Sequence, residues 1–387
     1  MEELFATLPK QYSLSIHVHA LIFFVTRGLQ VKPTIIFSVP TLFKKLYDGV
    51  NAKIANEPSK LTQFLMKRAL SVGSQVAAHK REAKPIGSWL GFQHRFLDKA
   101  VLTKMRAPLG GRLKTAIVAG APTPVPVVEF VESLGVVMTE GYGLTETSPV
   151  LSITFTDPTD SVLGSVGRAV PRTQTKLMDP DTLEEVPEGC EGELWVSGPQ
   201  VMQGYWNKPE ATDEVIVVDK ATGQRWFRTG DLVTMVGPDK KHLKITGRSK
   251  DQYKLENGKY VAPAPIEQAL SMSKFVNQCV LYGSGKPYNV AAVVPDFGCV
   301  AEELGILDWY DPIALCKDPK VVDLLHEEVR STLDAQGVKK YEQPRKLLLI
   351  AEPFSAANEM LTPKLSIRKP NVIKAYKADL DALYLEK

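Results

Sequence analysis

Val136-Val137-Met138-Thr139-Glu140-Gly141-Tyr142-Gly143-Leu144-Thr145-Glu146-Thr147 reads as a short β-branched strand that delivers a loop of one aromatic, two glycines, two hydroxyls and two carboxylates at its carboxyl end. Open α/β sheets bind ligands outside the carboxyl ends of their strands, so this is where a site is expected. Tyr142 offers a face that can stack on a purine, Gly143 permits close backbone approach, and Thr145 can donate to a phosphate oxygen. Glu146 can hold a magnesium ion that neutralises polyphosphate charge. A lone Thr-Glu-Thr is usually a solvated loop, so the reading depends on what stands around it.

Upstream, the same alternation recurs. Thr115-Ala116-Ile117-Val118-Ala119-Gly120 predicts a strand, and Val127, Val128, Phe130 and Val131 predict the helix after it. Between Pro33 and Pro40, Thr34-Ile35-Ile36-Phe37-Ser38-Val39 predicts a buried strand. Leu42, Phe43, Leu46, Tyr47, Val50 and Ile54 then follow at helical spacing. The pattern is that of a mostly parallel sheet covered by helices. From Leu151 the character changes to short strands and Gly/Pro turns, a β-rich subdomain. Beyond Gly247, the Asn257-Gly258 turn, a helix opening at Pro265, and strand-like runs at Val276–Tyr282 and Val290–Pro295 predict a small α+β domain. The expected division is an unplaced segment 1–31, a partial large α/β domain with its β-rich subdomain over 32–247, and a small mobile C-terminal domain over 248–387.

Composition bounds little. A 387-residue chain with 44% hydrophobic and 24% charged residues is an ordinary globular protein. Its net charge of +3 argues for no nucleic-acid partner. Cys190, Cys279, Cys299 and Cys316 lack the paired spacing of a zinc site or disulfide framework, which favours a reducing, intracellular setting. The apolar run Leu14–Val25, broken by His17 and His19, is short of the roughly 20 residues a spanning helix needs. That histidine pair has no further ligand near it in sequence. Gly283-Ser284-Gly285-Lys286 joins two strand-like runs and opens no helix, so it reads as a hairpin turn and not as a phosphate loop.

Two further stretches complete an ordered set: Phe227-Arg228-Thr229-Gly230-Asp231-Leu232, and Ile245-Thr246-Gly247-Arg248-Ser249-Lys250-Asp251 running into Tyr253-Lys254-Leu255-Glu256-Asn257-Gly258-Lys259. Asp231 sits in a turn where a carboxylate can accept two ribose hydroxyls, and Arg248 adds a cation. Lys254 and Lys259 are by default exposed strand and turn lysines.

This order of motifs resembles the adenylate-forming (AMP-binding) superfamily, over roughly residues 32–387. Asp251–Pro263, Leu361–Pro370 and the run from Val31 to Pro40 look like long-chain fatty acyl-CoA synthetases. The resemblance implies a two-step ligase: a fatty carboxylate and ATP give acyl-AMP and diphosphate, and the thiol of coenzyme A then displaces AMP. It implies that Gly120, Ala121, Pro122 and Tyr142 flank the adenine, with Gly143 beside them. Thr145 would touch phosphate, Glu146 would hold Mg2+, and Asp231 and Arg248 would bind the ribose. Lys250 would be the hinge of the small domain, and Lys254 would serve thioester formation. The adenylation lysine, which stabilises charge on the transferring phosphoryl oxygens, falls on Lys369, with Arg368 as the one-residue alternative and Lys364 as a weaker candidate. The Ser/Thr/Gly-rich loop ending in Pro-Lys-Gly that the family carries has no counterpart here, which suggests an incomplete chain. A catalytically impaired nucleotide- or acyl-binding module, or a ligase for another acid or an acyl carrier protein, stays open. Peripheral membrane association and a cytoplasmic or organelle-membrane location are compatible with the family.

Overall fold

Three β-branched runs lie side by side as parallel strands in a computed structural model, which describes residues 30–306, 310–362 and 366–385. The sequence-stretches Leu14–Val25, His17, His19 and Lys364 lie outside the described residues. By its contacts the chain divides into two units. One comprises the described residues through Gly141 together with Thr154–Leu163, and the other Tyr142–Ile153 with Gly164 onward.

In the first unit, β1 (Ile35–Ser38) pairs in parallel with β2 (Thr115–Ala119), and β2 with β3 (Val137–Tyr142). The crossovers are helical, as parallel pairing demands. After β1 the chain turns at Pro40 into α1 (Pro40–Ala55), whose proline takes the helix start where a missing N–H costs nothing. Then come α2 (Lys60–Arg81), with Ser59 capping Thr62 N–H, and α3 (Ser88–Leu97). The helix α4 (Val125–Ser133) returns the chain from β2 to β3 and buries Val127, Val128, Phe130 and Val131. Gly73 of α2 meets the Ser133 carbonyl so closely that an added Cβ would stand 2.1 Å from it, so only glycine lets these helices touch. One expectation is corrected. The first strand is not buried throughout: its side chains alternate between the two faces of the sheet, Ile36 points inward, and Ile35 and Phe37, on the other face, are 54% and 78% exposed.

The second unit contains the antiparallel order β4 (Ser152–Ile153), β5 (Arg168–Ala169), β10 (His242–Arg248), β9 (Arg225–Val236), β7 (Gly192–Ser197) and β6 (Gln174–Met178), with β8 (Ile216–Val218) also antiparallel to β9. Leu151, Leu177, Leu194, Val196, Phe227, Val233 and Leu243 form the hydrophobic cluster against this sheet. After β10 comes the hairpin β11 (Tyr253–Lys254) and β12 (Tyr260–Val261), turning at Asn257-Gly258 with Gly258 at φ 79°. The helix α5 (Pro263–Leu270) begins two residues before the expected Pro265. A three-stranded sheet follows, β13 (Val276–Tyr282) antiparallel to β14 (Asn289–Pro295), which is parallel to β15 (Pro344–Leu349). All seven residues of β14 are buried, each apolar side chain contributing roughly 1.5–3 kcal/mol relative to exposure. The Gly283–Lys286 stretch is the hairpin turn between β13 and β14, as expected. The four cysteines are free thiols. No helix among the described residues is long and apolar enough to cross a membrane.

Candidate nucleotide site

The second unit gathers three of the expected residues at one point. Between Arg228 and Leu232 the strand β9 bulges: Thr229, Gly230 and Asp231 stand opposite Leu194 alone, since Arg228 pairs with Trp195 and Leu232 with Glu193. Gly230 adopts φ 72°, a conformation that favours glycine. The bulge is pinned from beneath. Buried Glu193 accepts from Arg228 Nη2 at 3.0 Å and from Gly230 N–H at 3.2 Å, and Thr229 Oγ1 donates to the Leu194 carbonyl at 2.8 Å. Bulges re-aim side chains, and this one presents the Asp231 carboxylate.

Asp231 stands directly opposite Arg248 in the β9–β10 ladder. Arg248 Nε donates to Asp231 Oδ1 at 2.9 Å, and the Tyr142 hydroxyl donates to Oδ2 at 2.5 Å. Burial pushes the Asp231 carboxyl above its ordinary range, against the opposing pull of Tyr142 and Arg248. Burial and the neighbouring carboxylate push the Tyr142 phenol far up, so it remains a donor at all ordinary pH. The Asp231 charge holds Arg248 more firmly protonated. The Tyr142 ring packs against the core of the unit, while the Arg248 side chain is largely exposed. Each Asp231 oxygen keeps a second lone pair, so the carboxylate can still accept from a pair of neighbouring hydroxyls.

Gly143 has a local reason that the sequence alone did not show. A Cβ there would lie 1.7 Å from the Pro149 carbonyl, so the loop can fold back on itself only with glycine. Thr145–Thr147 forms a single 3-10 turn, tied by the Leu144 N–H donating to Thr147 Oγ1 at 3.0 Å. Thr145 is exposed. Glu146 is half-buried, and Tyr205 donates to its Oε1 at 2.9 Å, while its backbone carbonyl accepts from Met202 N–H. Burial, then Glu146, raises the Tyr205 phenol to about 12. No hydrogen bond among the described residues engages the second oxygen of Glu146. No cluster of three or more metal-ligating side chains occurs among the described residues. One carboxylate held in place fits a magnesium that arrives with phosphates, because such sites use one or two carboxylates and fill the rest with substrate oxygens and water.

In the first unit, Ala119 at the end of β2 pairs with Gly141 of β3, so the exposed Gly120-Ala121-Pro122 loop leaves the sheet at the carboxyl ends of the parallel strands. Gly120 has φ 91°. Glu140, quoted in the motif but given no role there, is only 8% exposed. Burial raises its carboxyl to about 7, with the Thr123 hydroxyl acting the other way. Neither Glu140 Oε1 nor Thr123 Oγ1 has a hydrogen-bond partner of normal geometry.

The expected lysines lie elsewhere. Lys250 is exposed in the turn after β10, just past Ser249, whose N–H donates to the Gly230 carbonyl at 2.9 Å. Lys254 is exposed on β11, its Nζ 4.5 Å from the centre of the Tyr260 ring. Lys369 opens the helix α6 (Lys369–Ala375) and pairs with Glu267 of α5 at 2.7 Å. The other Glu267 oxygen accepts from Leu281 N–H at 3.0 Å. Arg368 is exposed and has no ion pair among the described residues. Tyr205, Glu193 and Glu267 were missed because each meets its partner only through long-range folding, with no spacing signal.

Models of two families match successive stretches: AMP-binding enzyme over residues 23–206, and AMP-binding enzyme C-terminal domain over 250–309. Long chain acyl-CoA synthetase 8 of Arabidopsis thaliana is 32% identical over 366 residues, covering 92% of this chain and 49% of its own. A chloroplastic long-chain-fatty-acid–[acyl-carrier-protein] ligase of the same plant is 29% identical, covering 91% and 50%. The adenylation domain of a carboxylic acid reductase from Segniliparus rugosus, solved with AMP and a co-purified carboxylic acid, matches with TM-score 0.66 and 26% identity over 94% of this chain and 49% of that one. The chain spans about half the length of the curated relatives it matches.

Proposed function

As this chain belongs to the AMP-binding superfamily, we propose that it carries the ribose-, metal- and thiol-handling part of a long-chain fatty acid–CoA ligase. The observation that carries the proposal is the Tyr142–Asp231–Arg248 cluster, a buried carboxylate oriented by two donors on a pinned bulge. In the reaction, a carboxylate oxygen of the fatty acid attacks the α-phosphorus of ATP and diphosphate leaves. The thiolate of coenzyme A then attacks the acyl carbon and AMP leaves. Asp231 accepts from the ribose hydroxyls and Arg248 offers a cation beside them. Thr145 donates to a phosphate oxygen, Gly143 brings the backbone close, and Tyr142 keeps Asp231 aimed. Gly120, Ala121 and Pro122 are assigned to the base. Glu146 would hold magnesium, which when bound would supply charge neutralisation to the phosphates.

Lys250 is the proposed hinge between a portion over 32–247 and a small domain over 248–387, with Lys254 serving the thioester-forming arrangement. Lys369 is assigned to adenylation, on the condition that it leaves Glu267. Arg368, exposed and without an ion pair among the described residues, is the alternative cation. The test is fatty-acid-dependent diphosphate release by the chain with ATP, Mg2+ and coenzyme A. Release that Asp231→Ala abolishes supports the proposal, and absence of both release and nucleotide binding sinks it. A second reading, a module that binds nucleotide without turnover, is favoured by the Lys369–Glu267 pair. Saturable AMP binding with no diphosphate release would select it. Exchanging coenzyme A for an acyl carrier protein tests the other acceptor.

A further inference from the structure

The Gly283-Ser284-Gly285-Lys286 turn grips the strand that carries Lys254. Gly285 N–H donates to the Lys254 carbonyl, and Glu256 N–H donates to the Lys286 carbonyl, both at 2.9 Å. These bonds bracket Leu255, which sinks into an apolar cluster with Ile266, Leu281 and Ala291. Alternation along the strand puts Tyr253 and Leu255 on that inner side and leaves Lys254 outside, where its ammonium lies 4.5 Å from the centre of the Tyr260 ring across the ladder. Lys286 ties the turn in turn to α7 (Lys377–Ala382), pairing with Asp381 at 2.8 Å.

A buried polar contact fixes the same strand at its start. Asn289 is the one polar side chain of β14, and it is fully buried. Its Oδ1 accepts from the Tyr253 hydroxyl at 2.7 Å, and its Nδ2 donates to the Glu342 carbonyl at 2.8 Å. An apolar residue there would extend the core with no polar group to desolvate, so what the amide contributes is geometry: a satisfied buried network rigidifies one arrangement. Gly283 belongs to that arrangement. A Cβ at 283 would collide with Asn289 Oδ1 and press on the Tyr253 ring, and Asn289, held at both ends of its carboxamide, cannot turn away without breaking a bond.

We propose that the Gly283–Lys286 turn, Asn289 and Tyr253 are positioning elements for the thioester-forming step: they lock β11 to the three-stranded sheet, so that Lys254 is carried as a rigid extension of that sheet. The turn that resembles a phosphate loop in sequence is a clamp. The proposal rests on the reading of Lys254 as a thioester-forming residue and adds what holds that lysine in place.

The test supplies palmitoyl-AMP and coenzyme A to the whole chain and follows palmitoyl-CoA, with backbone hydrogen exchange measured alongside. In the parent, the Gly285 and Glu256 amides should exchange slowly. Gly283→Ala should speed both roughly tenfold or more and lower kcat on the order of tenfold to a hundredfold, with KM for palmitoyl-AMP unchanged, because small misplacements of a catalytic group are costly. Tyr253→Phe should act in the same direction and more weakly, and it keeps the test valid should Gly283→Ala misfold. In a Lys254→Met chain neither change should lower the rate further, because both act through that lysine. A general loss of structure would add to the Lys254→Met loss instead. Additive losses, or full turnover by Gly283→Ala with both amides released, would overturn the proposal and leave the reading of Lys254 intact. A parent chain inert toward palmitoyl-AMP overturns that reading and the catalytic part of the proposal with it. The clamp is then decided by exchange alone: release of the two amides in Gly283→Ala upholds it, and unchanged exchange overturns it.

Discussion

The Tyr142 hydroxyl donates to Asp231 at 2.5 Å across 89 residues of chain, and this one bond ties Tyr142, the last residue of β3, to the bulge in β9. Tyr142→Phe removes it while keeping the packed ring. An unmade hydrogen bond to a buried carboxylate costs about 1.5–3 kcal/mol, so the variant should unfold at lower urea by that amount. Asp231→Asn, which retains an acceptor and loses the charge, should be less damaging to stability than Tyr142→Phe is, because burial already disfavours the ionised form. Urea titrations followed by circular dichroism decide both.

Glu140 gives a pH signature. Its carboxyl is raised to about 7 in the folded chain by burial, against an ordinary value of 4.5. The folded state therefore holds the proton more tightly than the unfolded state. Its contribution is full below pH 4.5, declines as pH rises, and is gone above about 7. The span corresponds to roughly 3 kcal/mol. Glu140→Gln should flatten this part of the stability profile and raise stability at pH 8. A variant profile parallel to the parent between pH 5 and 8 would show that Glu140 is not the group responsible.

Lys369 and Arg368 can be separated by stability as well as by activity. Lys369→Met strands Glu267 under a mostly covered ion pair, and a cost of about 1–3 kcal/mol is expected after allowing for partial exposure. Arg368→Ala, at an exposed position with no ion pair among the described residues, should lie within about 0.5 kcal/mol of the parent. If diphosphate release falls with Arg368→Ala and survives Lys369→Met, the adenylation role passes to Arg368.

Glu146 should be the group that makes nucleotide binding depend on magnesium. In titration calorimetry Glu146→Gln is expected to bind ATP with the same affinity with or without Mg2+. Tyr205→Phe, which frees Oε1 without removing the charge, should preserve the dependence.

The strand-and-loop order of both units was legible because periodicity and turn chemistry are local. Val127, Val128, Phe130 and Val131 announce their helix, and Asn257-Gly258 its hairpin. Exposure was not legible: Ile35 and Phe37 read as core, since β-branched and aromatic residues look alike whether or not a neighbour covers them. In the site, Asp231 and Arg248 could be singled out by residue type, but their ladder pairing needed the fold. Gly143 was found for close approach, and the group it approaches is the Pro149 carbonyl of its own loop. The engagement of Lys369 by Glu267 could not be read at all, since about a hundred residues separate the partners and lysine is exposed by default.

The most direct test of the ribose assignment is titration calorimetry of AMP against 2′,3′-dideoxy-AMP, with the chain and with Asp231→Ala. A site built to hydrogen-bond hydroxyls rejects an analogue lacking them, so AMP should bind more than roughly tenfold tighter than the dideoxy analogue, and Asp231→Ala should erase that preference. Equal affinity for the two nucleotides, or a preference that survives Asp231→Ala, would contradict it.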